Sequence, residues 1–252
     1  MEGTAVRGRL TWQTGTVSSV ITETADTRTI VFDVPDWAGP GGIKQRAGQH
    51  LDVRLTAEDG YSAERSYSIA SAPGEPLAIT VQRLDDGEVS PYLTEELRAG
   101  DQLEVRGPIG GYFVWDGESD PLLLVAGGSG VVPLRCILRH RDRLGVSTPA
   151  ELIYSVRTGP DVIYRDELGH YRGVELIYTL TREHPPGWTG LTGRVDAAML
   201  GKYAWPAAQD PIAYVCGPTP FVEAVAEALV SLGYPPARVK TERFGATGDV
   251  NG

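Results

Sequence analysis

The sequence is poor in cysteine, in histidine and in long apolar runs, and each shortage excludes a class of protein. It has two cysteines, Cys136 and Cys216, both in apolar segments, which excludes a disulfide framework and a cysteine-ligated zinc or iron–sulfur site. Apolar runs of roughly 18 residues are absent, so we expect no membrane span. No basic start followed by an apolar stretch is present near Met1, so we expect no secretion signal and a cytoplasmic location. The histidines show no metal-ligand spacing, so we expect no metal site; they are His50, His140, His170 and His184.

Positive charge is also scarce. The chain has 33 Asp and Glu against 23 Lys and Arg, which gives a formal net charge of −10. Binding of DNA or RNA requires clustered Lys and Arg that neutralise phosphates, so we expect no nucleic-acid partner. One local exception is formed by Arg135, Arg139 and Arg143, which recur every four residues and therefore share one face of a predicted helix. This face is either a solvated helix surface or a docking patch for a small acidic partner protein.

Glycine and proline are abundant, with 31 and 18 residues, which argues against an all-helical bundle. As far as about residue 117, apolar and polar residues alternate in short segments, among them TIVFDV (29–34), HLDVRL (50–55) and LAITV (77–81). This pattern predicts the antiparallel strands of a β-barrel or a β-sandwich. One helix is predicted within the barrel, over residues 89–100, with Ser90 as its N-cap and Gly100 at its end.

From about residue 118 the pattern changes to continuous apolar runs that alternate with helical segments. The clearest helical segment is TPFVEAVAEALVSLG (219–233), which has one apolar stripe. Continuous apolar strands separated by helices predict an α/β domain with a parallel sheet. We therefore predict two domains, over residues 1–117 and 118–252. The apolar runs are PLLLVAGG (121–128), ELIYSV (151–156), VELIYTL (174–180) and PIAYVCG (211–217).

In the first half, the segment RSYS (65–68) combines side chains suited to a dinucleotide with a flat ring. Arg65 and Tyr67 lie on one face of an alternating strand and Ser68 on the other. An arginine can pair with a diphosphate, a tyrosine can lie flat on an aromatic ring, and a serine can hydrogen-bond a ring nitrogen. The turn Gly87–Ser90 precedes the predicted helix, whose free N–H groups form an anion site. Each feature alone is also consistent with an ordinary strand and an ordinary capped helix.

In the second half, LLLVAGGSGVVPL (122–134) runs from a strand through a glycine-rich turn into a helix. Such a turn lets the backbone approach a diphosphate, although many such turns are only tight connections. Three other strands also end in polar or unusual residues. Because ligands of parallel sheets bind beyond the carboxyl ends of the strands, we expect these ends to meet at one crevice. The strand-end residues are Ser155, Arg157, Thr181, Arg182, Cys216, Gly217 and Pro218.

Taken together, these motifs resemble the ferredoxin–NADP reductase superfamily. The first-half segments are AGQHLDVRL (47–55), RSYS, GEVS (87–90) and GPIGGYF (107–113), and the second-half segments are GGSGVVP (127–133) and YVCGPTPFVEAV (214–225). They occur in the family's order and extend from about Thr14 to Gly245. The resemblance implies an antiparallel β-barrel domain that binds FAD, followed by an α/β domain with a parallel sheet that binds NAD(P).

For the flavin domain, the resemblance implies that Arg65 holds the FAD diphosphate, Tyr67 stacks on the isoalloxazine and Ser68 lies near flavin N5. The turn Gly87–Ser90 would hold the phosphates, which favours FAD over FMN. An aromatic residue often covers the other flavin face, and the resemblance leaves open whether Phe244 or Glu242 contacts the flavin. The implied flavin contacts are Arg65, Ser66, Tyr67, Ser68, Val81, Gly87, Val89, Ser90 and Phe244.

For the nicotinamide domain, the resemblance implies that Gly127–Pro133 holds the NAD(P) diphosphate and that Cys216 lies near nicotinamide C4. Ser68 and Cys216 are therefore the candidate catalytic residues, although Cys216 also fits a buried small apolar residue. The strand that ends in Ser155 and Arg157 has no acidic residue at its tip, and Arg182 ends the next strand, which favours NADPH over NADH. The implied contacts are Gly127, Gly128, Gly130, Pro133, Ser155, Arg157, Arg182, Cys216, Gly217 and Pro218.

The resemblance implies a flavin-dependent NAD(P)H oxidoreductase. A four-cysteine iron–sulfur module is missing from the sequence, so we expect electrons to pass to a separate protein. This partner would be a ferredoxin, a flavodoxin or an oxygenase, haem or molybdenum enzyme component, and the basic face at Arg135 is a candidate docking patch for it. Two alternatives remain open: a reductase of free flavin, and a non-catalytic flavin-binding subunit of a larger redox complex.

Overall fold

The computed structural model describes residues 10–37 and 44–244, which form two six-stranded sheets one after the other along the chain. The outer ends of the two predicted domain ranges therefore lie outside the described residues. The first sheet contains β1 (Gln13–Thr22), β2 (Thr27–Asp33), β3 (His50–Thr56), β4 (Ser62–Ser68), β5 (Ala78–Gln82) and β6 (Gln102–Ile109).

The first sheet is antiparallel, in the order β4-β3-β6-β1-β2-β5, and it curls so that its two edges approach each other. Ile69 bridges to Ile79, and the Ala70 amide donates to the Ala78 carbonyl at 2.8 Å. The residues after β4 therefore meet the start of β5. The predicted antiparallel barrel is confirmed as a partly open barrel. Its interior is filled by the apolar residues of the alternating pattern, among them Ile30, Phe32, Leu51, Val53, Ile79, Val81, Leu103 and Val105.

The predicted helix over residues 89–100 is wrong in length and in its cap. It is a single wide helical turn, Tyr92–Glu96, whose first residue receives no side-chain hydrogen bond. The Ser90 hydroxyl instead accepts a hydrogen bond from the Leu84 amide at 3.0 Å. Leu93 and Leu97 are buried in the barrel core, and the backbone becomes extended at Leu97, which ends the helical turn there.

The second sheet is parallel throughout, in the order β10-β9-β8-β7-β11-β12, and helices cover both faces. This confirms the predicted α/β domain and explains the continuous apolar runs, because every central strand is buried on both sides. The strands are β7 (Leu122–Gly127), β8 (Ala150–Val156), β9 (Val174–Leu180), β10 (Leu191–Thr192), β11 (Ile212–Pro218) and β12 (Val239–Phe244), and the helices are α1 (Val131–Leu144), α2 (Arg165–Leu168), α3 (Ala197–Tyr203) and α4 (Thr219–Ser231).

The strand order places a crevice at the carboxyl ends of β7 and β11. From β7 the chain first adds strands on one side of the sheet and then crosses to the other side with β11. At such a switch point the connecting loops diverge, which leaves an open crevice where ligands bind. The turn after β7 is the glycine-rich segment Gly128–Gly130, and the turn after β11 leads directly into α4.

The two sheets share one apolar cluster. Ala70, Ala78, Phe113 and Trp115 come from the barrel half and pack with residues of β7, β8 and α1. The Tyr214 hydroxyl in β11 also donates to the Val114 carbonyl at 2.7 Å. Large apolar interfaces restrict relative domain motion, so we expect the two halves to keep a fixed arrangement. Within the described part of the chain, no helix is both long enough and apolar enough to cross a membrane.

Candidate functional site

On the barrel side, the structure brings Arg65 together with the turn Gly87–Ser90. The Arg65 side chain is half exposed and its Nη2 lies 2.5 Å from the Glu88 carboxylate. The hydrogen bond from the Leu84 amide to Ser90 folds the turn back, and a Cβ on Gly87 would lie 2.8 Å from the Ser90 hydroxyl. Only glycine therefore fits at position 87 without a shift of Ser90. The carboxylate on Arg65 shows that this guanidinium is placed to bind an anion.

Tyr67 and Ser68 lie farther along β4, towards the second sheet. Both are partly buried, and Tyr67 packs against the barrel core, where burial raises the pKa of its hydroxyl well above the ordinary value. The side chains of three further implied flavin contacts, Ser66, Val81 and Val89, are engaged within the barrel. Only their backbone groups are therefore available to a ligand. The Ser66 hydroxyl donates to Asp52 at 2.6 Å on the opposite face of the strand, and Val81 and Val89 are fully buried in the barrel core.

On the side of the parallel sheet, Gly130 lies against the end of β11. A Cβ at this position would lie 2.1 Å from the Cys216 carbonyl oxygen, so only glycine allows the two backbones to approach this closely. Helix α1 begins at the next residue and has no acidic side chain in its first turn. The glycine turn and the start of α1 therefore lie beside Cys216, Gly217 and Pro218, a position at which a helix N-terminus can bind a diphosphate. Pro133 is buried within the first turn of this helix.

The ends of β8 and β9 place two arginines side by side. The Arg182 amide donates to the Arg157 carbonyl at 2.9 Å, and both side chains are exposed. Among residues 10–37 and 44–244, neither guanidinium takes part in an ion pair. Ser155 lies next to Gly127 in the sheet and is buried. Two unpaired cations beside a buried hydroxyl form a site suited to a phosphate group.

A cavity of about 770 Å³ opens beyond these strand ends. It lies between the end of β1, with Thr22 and Glu23, and the loops that follow β8 and β9. It includes neither Arg65 nor the glycine turn, so it lies beside the crevice and does not fill it. Its other lining residues are Thr158, Gly159, Pro160, Val162, Tyr164, Arg165, Asp166, Glu167, Glu183, His184 and Pro185.

The strands that carry the two candidate catalytic residues are each paired with a strand that carries one member of a further pair, His50 and Glu242. The sequence suggested a role for Glu242 but none for His50. Ser68 is paired with His50 between β4 and β3, and Cys216 is paired with Glu242 between β11 and β12. His50 Nδ1 lies 3.8 Å from Glu242 Oε1. The structure places His50, to which the sequence pattern assigned no role, at the junction of the two sheets. The sequence signal that could have indicated this position is that His50 lies within AGQHLDVRL, one of the segments that resemble the superfamily.

Burial shifts the pKa values of the ionisable groups at this junction. Glu242 Oε2 is buried, with no hydrogen-bond partner among the described residues, and burial raises the pKa of Glu242 to about 7. Burial lowers the pKa of His50, although Asp52 opposes this shift. The Cys216 thiol is fully buried and its pKa is raised well above the usual value, which leaves it uncharged. An uncharged thiol is a poor nucleophile, so the raised pKa disfavours nucleophilic chemistry at Cys216.

Phe244, at the end of β12, is partly exposed and is paired with Pro218 in the sheet. It therefore lies at the same carboxyl edge as Cys216 and Gly217. By contrast, the predicted basic face of α1 is only partly at the surface. Arg135 is 8% exposed and pairs with Glu167, and Arg139 is held by Glu75 and Glu167. The Arg143 side chain is 48% exposed and lies 3.7 Å from Glu75. The three arginines therefore do not form one free basic stripe, because their carboxylate partners lie on distant segments that the helix period does not report.

Comparison with known proteins identifies both halves. Residues 14–114 match the model of an oxidoreductase FAD-binding domain, and residues 124–227 match the model of an oxidoreductase NAD-binding domain. The chain belongs to the ferredoxin–NADP reductase-like superfamily of FAD- and NAD-binding oxidoreductases. In this chain, the range matched as FAD-binding contains Arg65 and the turn at Gly87. The range matched as NAD-binding contains the glycine turn, Cys216, Arg157 and Arg182.

Individual members of the superfamily are similar over most of this chain. The glycine betaine monooxygenase reductase subunit of Chromohalobacter salexigens is 34% identical over 236 residues, which cover 90% of this chain and 63% of that protein. NADH-cytochrome b5 reductase 1 of Aspergillus terreus is 35% identical, with coverages of 76% and 68%. The FAD/NAD-binding domain of nitric oxide dioxygenase from Vibrio cholerae superposes with a TM-score of 0.83 at 25% identity, covering 92% of this chain and 98% of that chain. The chain thus spans about 63% of the length of the monooxygenase reductase subunit.

Proposed function

We propose that the protein is an NAD(P)H-dependent flavoprotein reductase, which passes electrons from a reduced nicotinamide through bound FAD to a separate acceptor protein. The observation that carries this proposal is the meeting of two phosphate-binding arrangements at one cleft. Arg65 and Gly87–Ser90 lie on the barrel side, the turn before α1 lies on the other, and His50 and Glu242 join the two sides at 3.8 Å. We further propose the domain boundary at residues 117/118, in the connection between β6 and β7.

The barrel residues fit FAD. The Arg65 guanidinium already holds one anion, the Glu88 carboxylate, and can hold a diphosphate in its place. Tyr67 offers an aromatic face on the same side of β4, and Ser68 lies at the end of the strand nearest the second sheet. FAD, when bound, supplies a ring that accepts two electrons as a hydride and releases electrons singly. Ser68 and the backbone around it would orient this ring.

The parallel-sheet residues fit a nicotinamide dinucleotide. The N–H groups at the start of α1 would bind its diphosphate, and the close approach of Gly130 to Cys216 would shape the floor beneath the nicotinamide. Buried Cys216 excludes water there, because its thiol is uncharged and fully covered. Glu242, which has a pKa of about 7, can hold a proton on its carboxyl group beside these residues at neutral pH.

For the coenzyme we propose NADPH over NADH. Arg157 and Arg182 are adjacent, exposed and free of ion pairs within the described ranges, as a 2′-phosphate requires. Comparison of kcat/KM for the two coenzymes tests this, and a preference for NADH would contradict it. Arg182→Gln should lower kcat/KM for NADPH and leave that for NADH nearly unchanged.

The acceptor is proposed to be a separate redox protein, such as a ferredoxin, a flavodoxin or a component of an oxygenase, haem or molybdenum enzyme. The relatives are named as a monooxygenase reductase subunit, a ferredoxin reductase component and a cytochrome b5 reductase, which supports transfer to a partner. We also propose a cytoplasmic location, because reduced nicotinamide coenzymes are supplied there.

The deciding experiment is purification followed by an assay of dye reduction with NADPH or NADH. Protein that stays yellow through gel filtration and reduces a dye supports the reductase. Colourless protein that reduces added free flavin would identify a free-flavin reductase instead. Yellow protein that oxidises neither coenzyme would identify a non-catalytic flavin-binding subunit.

A further inference from the structure

Helix α1 connects the two halves of the proposed site. Its first residue, Val131, follows the glycine turn directly, so the helix fixes the position of the turn. One turn later, the same helix contacts the barrel. Arg135 Nη1 donates to the Ala70 carbonyl at 2.9 Å, and the Cys136 thiol donates to the Ser71 carbonyl at 3.0 Å. Ala70 and Ser71 are the second and third residues after Ser68.

The Arg135 side chain is fixed on every side. Its other nitrogens donate to the two oxygens of Glu167 at 2.9 and 2.5 Å, and its guanidinium lies 4.5 Å above the ring of Tyr164. Tyr164 in turn hydrogen-bonds Thr80 in the barrel. Since the guanidinium is planar and 8% of the residue is exposed, it has one available orientation.

Arg139 continues the contact one turn farther along α1. It forms a two-pronged ion pair with Glu75, with distances of 2.6 and 2.9 Å, and also reaches Glu167 at 3.0 Å. Glu75 belongs to the barrel half, where it also accepts a hydrogen bond from the Ala72 amide at 2.8 Å. Although burial opposes the shift, hydrogen bonds from Arg139 hold the pKa of Glu75 below its usual value. Burial also opposes the shift at Glu167, but hydrogen bonds from Arg135 and Tyr171 hold its pKa below the usual value, so both carboxylates are charged at neutral pH.

We propose that Arg135 is a positioning residue which, with Arg139, holds the barrel segment after Ser68 at a fixed distance from the nicotinamide-binding turn. The inference rests on the proposed function and deepens it. Hydride transfer requires the two reacting atoms at roughly 3–3.5 Å, and a displacement of about 1 Å costs on the order of a hundredfold in rate. A single rigid helix that touches both the coenzyme turn and the segment after Ser68 supplies this accuracy.

The test compares Arg135→Gln with Arg141→Gln. Arg141 lies on the same helix and is equally buried, at 3% exposed, but its hydrogen bonds go to the carbonyls of Thr148, Arg172 and Gly173, all within the parallel-sheet half. Both variants lose buried hydrogen bonds and should unfold at lower temperature. Only Arg135→Gln should loosen the contact between the two halves.

In stopped-flow reduction of the FAD-loaded protein, we expect Arg135→Gln to lower the limiting rate at saturating NADPH about tenfold or more. The Kd for the coenzyme should change less than about threefold, because the coenzyme turn itself is intact. Arg135→Lys should recover part of the rate, since its ammonium can reach the Ala70 carbonyl or Glu167 but cannot form the fork. Equal limiting rates in wild type and Arg135→Gln, or equal losses in Arg135→Gln and Arg141→Gln, would overturn the proposal.

Calorimetry of the flavin-free protein provides a readout that does not depend on activity. Wild type and Arg141→Gln should unfold with equal van't Hoff and calorimetric enthalpies, and Arg135→Gln should show a van't Hoff enthalpy below the calorimetric value, because its two halves are then less tightly coupled. The same enthalpy ratio in all three proteins would contradict the proposal. If Arg135→Gln does not fold, Glu75→Gln replaces it, because this change weakens the contact between α1 and the barrel at Arg139. The limiting rate of flavin reduction and the calorimetric result then decide the proposal in the same way. If wild type shows no hydride transfer, the proposed function fails, and calorimetry still decides whether Arg135 couples the halves.

Discussion

The contact around α1 and the open cleft use the same side-chain types in opposite ways. At the contact, Arg135 is buried and its guanidinium donates to a carbonyl and to both oxygens of one carboxylate. At the cleft, Arg65 is half exposed and holds the equally exposed Glu88. Carboxylates differ in the same manner, since Glu167 is fully paired, whereas Glu242 has a buried oxygen without a partner. At the cleft, some side-chain atoms have no hydrogen-bond partner among the described residues, whereas at the contact every polar side-chain atom of Arg135 and Glu167 is paired. This difference distinguishes residues that bind a ligand from residues that hold the two halves in position.

Glu151 tests whether this distinction is general. It lies in β8, fully buried and away from the cleft, and neither of its oxygens makes a hydrogen bond of normal geometry with the described residues. Burial, together with the nearby charge of Glu175, raises the pKa of Glu151 to about 8, although the Trp205 backbone opposes this slightly. An unpaired side-chain atom therefore marks a binding group only where a cleft gives access to it.

The largest expected effect is that of Glu151→Gln on stability. The folded-state pKa of about 8 lies above the unfolded value of 4.5, so wild type loses stability as pH rises from about 4.5 to 8 and is unaffected above that. The loss is about 1.4 kcal/mol per pH unit, in all about 5 kcal/mol. Urea unfolding at pH 5 and pH 9 should show Glu151→Gln similar to wild type at the lower pH and more stable at the higher. Dye reduction should be unchanged. A loss of activity would show that Glu151 belongs to the site.

Glu242→Gln should give a smaller gain in stability, about 3 kcal/mol at pH 8, because its pKa is raised to about 7. The gain should develop between about pH 4.5 and 7 by the same sign argument. Unlike Glu151, Glu242 lies at the cleft beside His50, so the limiting rate of flavin reduction should lose any dependence on pH near 7 in the variant. An unchanged pH profile would place Glu242 with Glu151 as a group without a role in the site.

Arg65→Ala should weaken FAD binding by about 1.5–3 kcal/mol, or roughly tenfold to 150-fold, since the diphosphate loses a charged hydrogen-bond partner. Quenching of flavin fluorescence on titration of the flavin-free protein measures this directly. Arg83→Ala is the matched control, because Arg83 is another exposed arginine that pairs with acidic residues, Asp85 and Glu95. Equal FAD affinity in Arg65→Ala and wild type would remove Arg65 from the flavin site.

The smallest effect is expected for Glu88→Gln. The Glu88 carboxylate competes with the diphosphate for Arg65, so its removal should strengthen FAD binding a few-fold. High salt should reduce the difference, because both groups are exposed. Glu95→Gln, which removes a similar exposed carboxylate from Arg83, should leave the affinity unchanged. Weaker binding in Glu88→Gln would show that Glu88 orients Arg65 for FAD and does not compete with it.

Much of the fold could be predicted from the sequence. The change of apolar pattern near residue 118 predicted both sheets and their types. Alternating apolar residues indicate a strand buried on one face, and a continuous apolar run indicates a strand buried on both faces. The motif order predicted the superfamily, which both domain models confirm. The predicted helix at Ser90 failed because its apolar residues anchor a single turn in the barrel core, which no local pattern reports.

The sequence by itself determined which segments are strands and which residues carry charge, because a strand pattern depends on neighbours a few positions away and a charge on the residue alone. Tertiary structure alone decided what each charge does. Arg135 finds the Ala70 carbonyl across 65 residues, and His50 meets Glu242 from the opposite end of the chain. A guanidinium on a helix face looks the same in sequence whether it meets water, a diphosphate or a buried carboxylate. Its role is set by desolvation and by its partners, and both exist only after the two sheets have packed together.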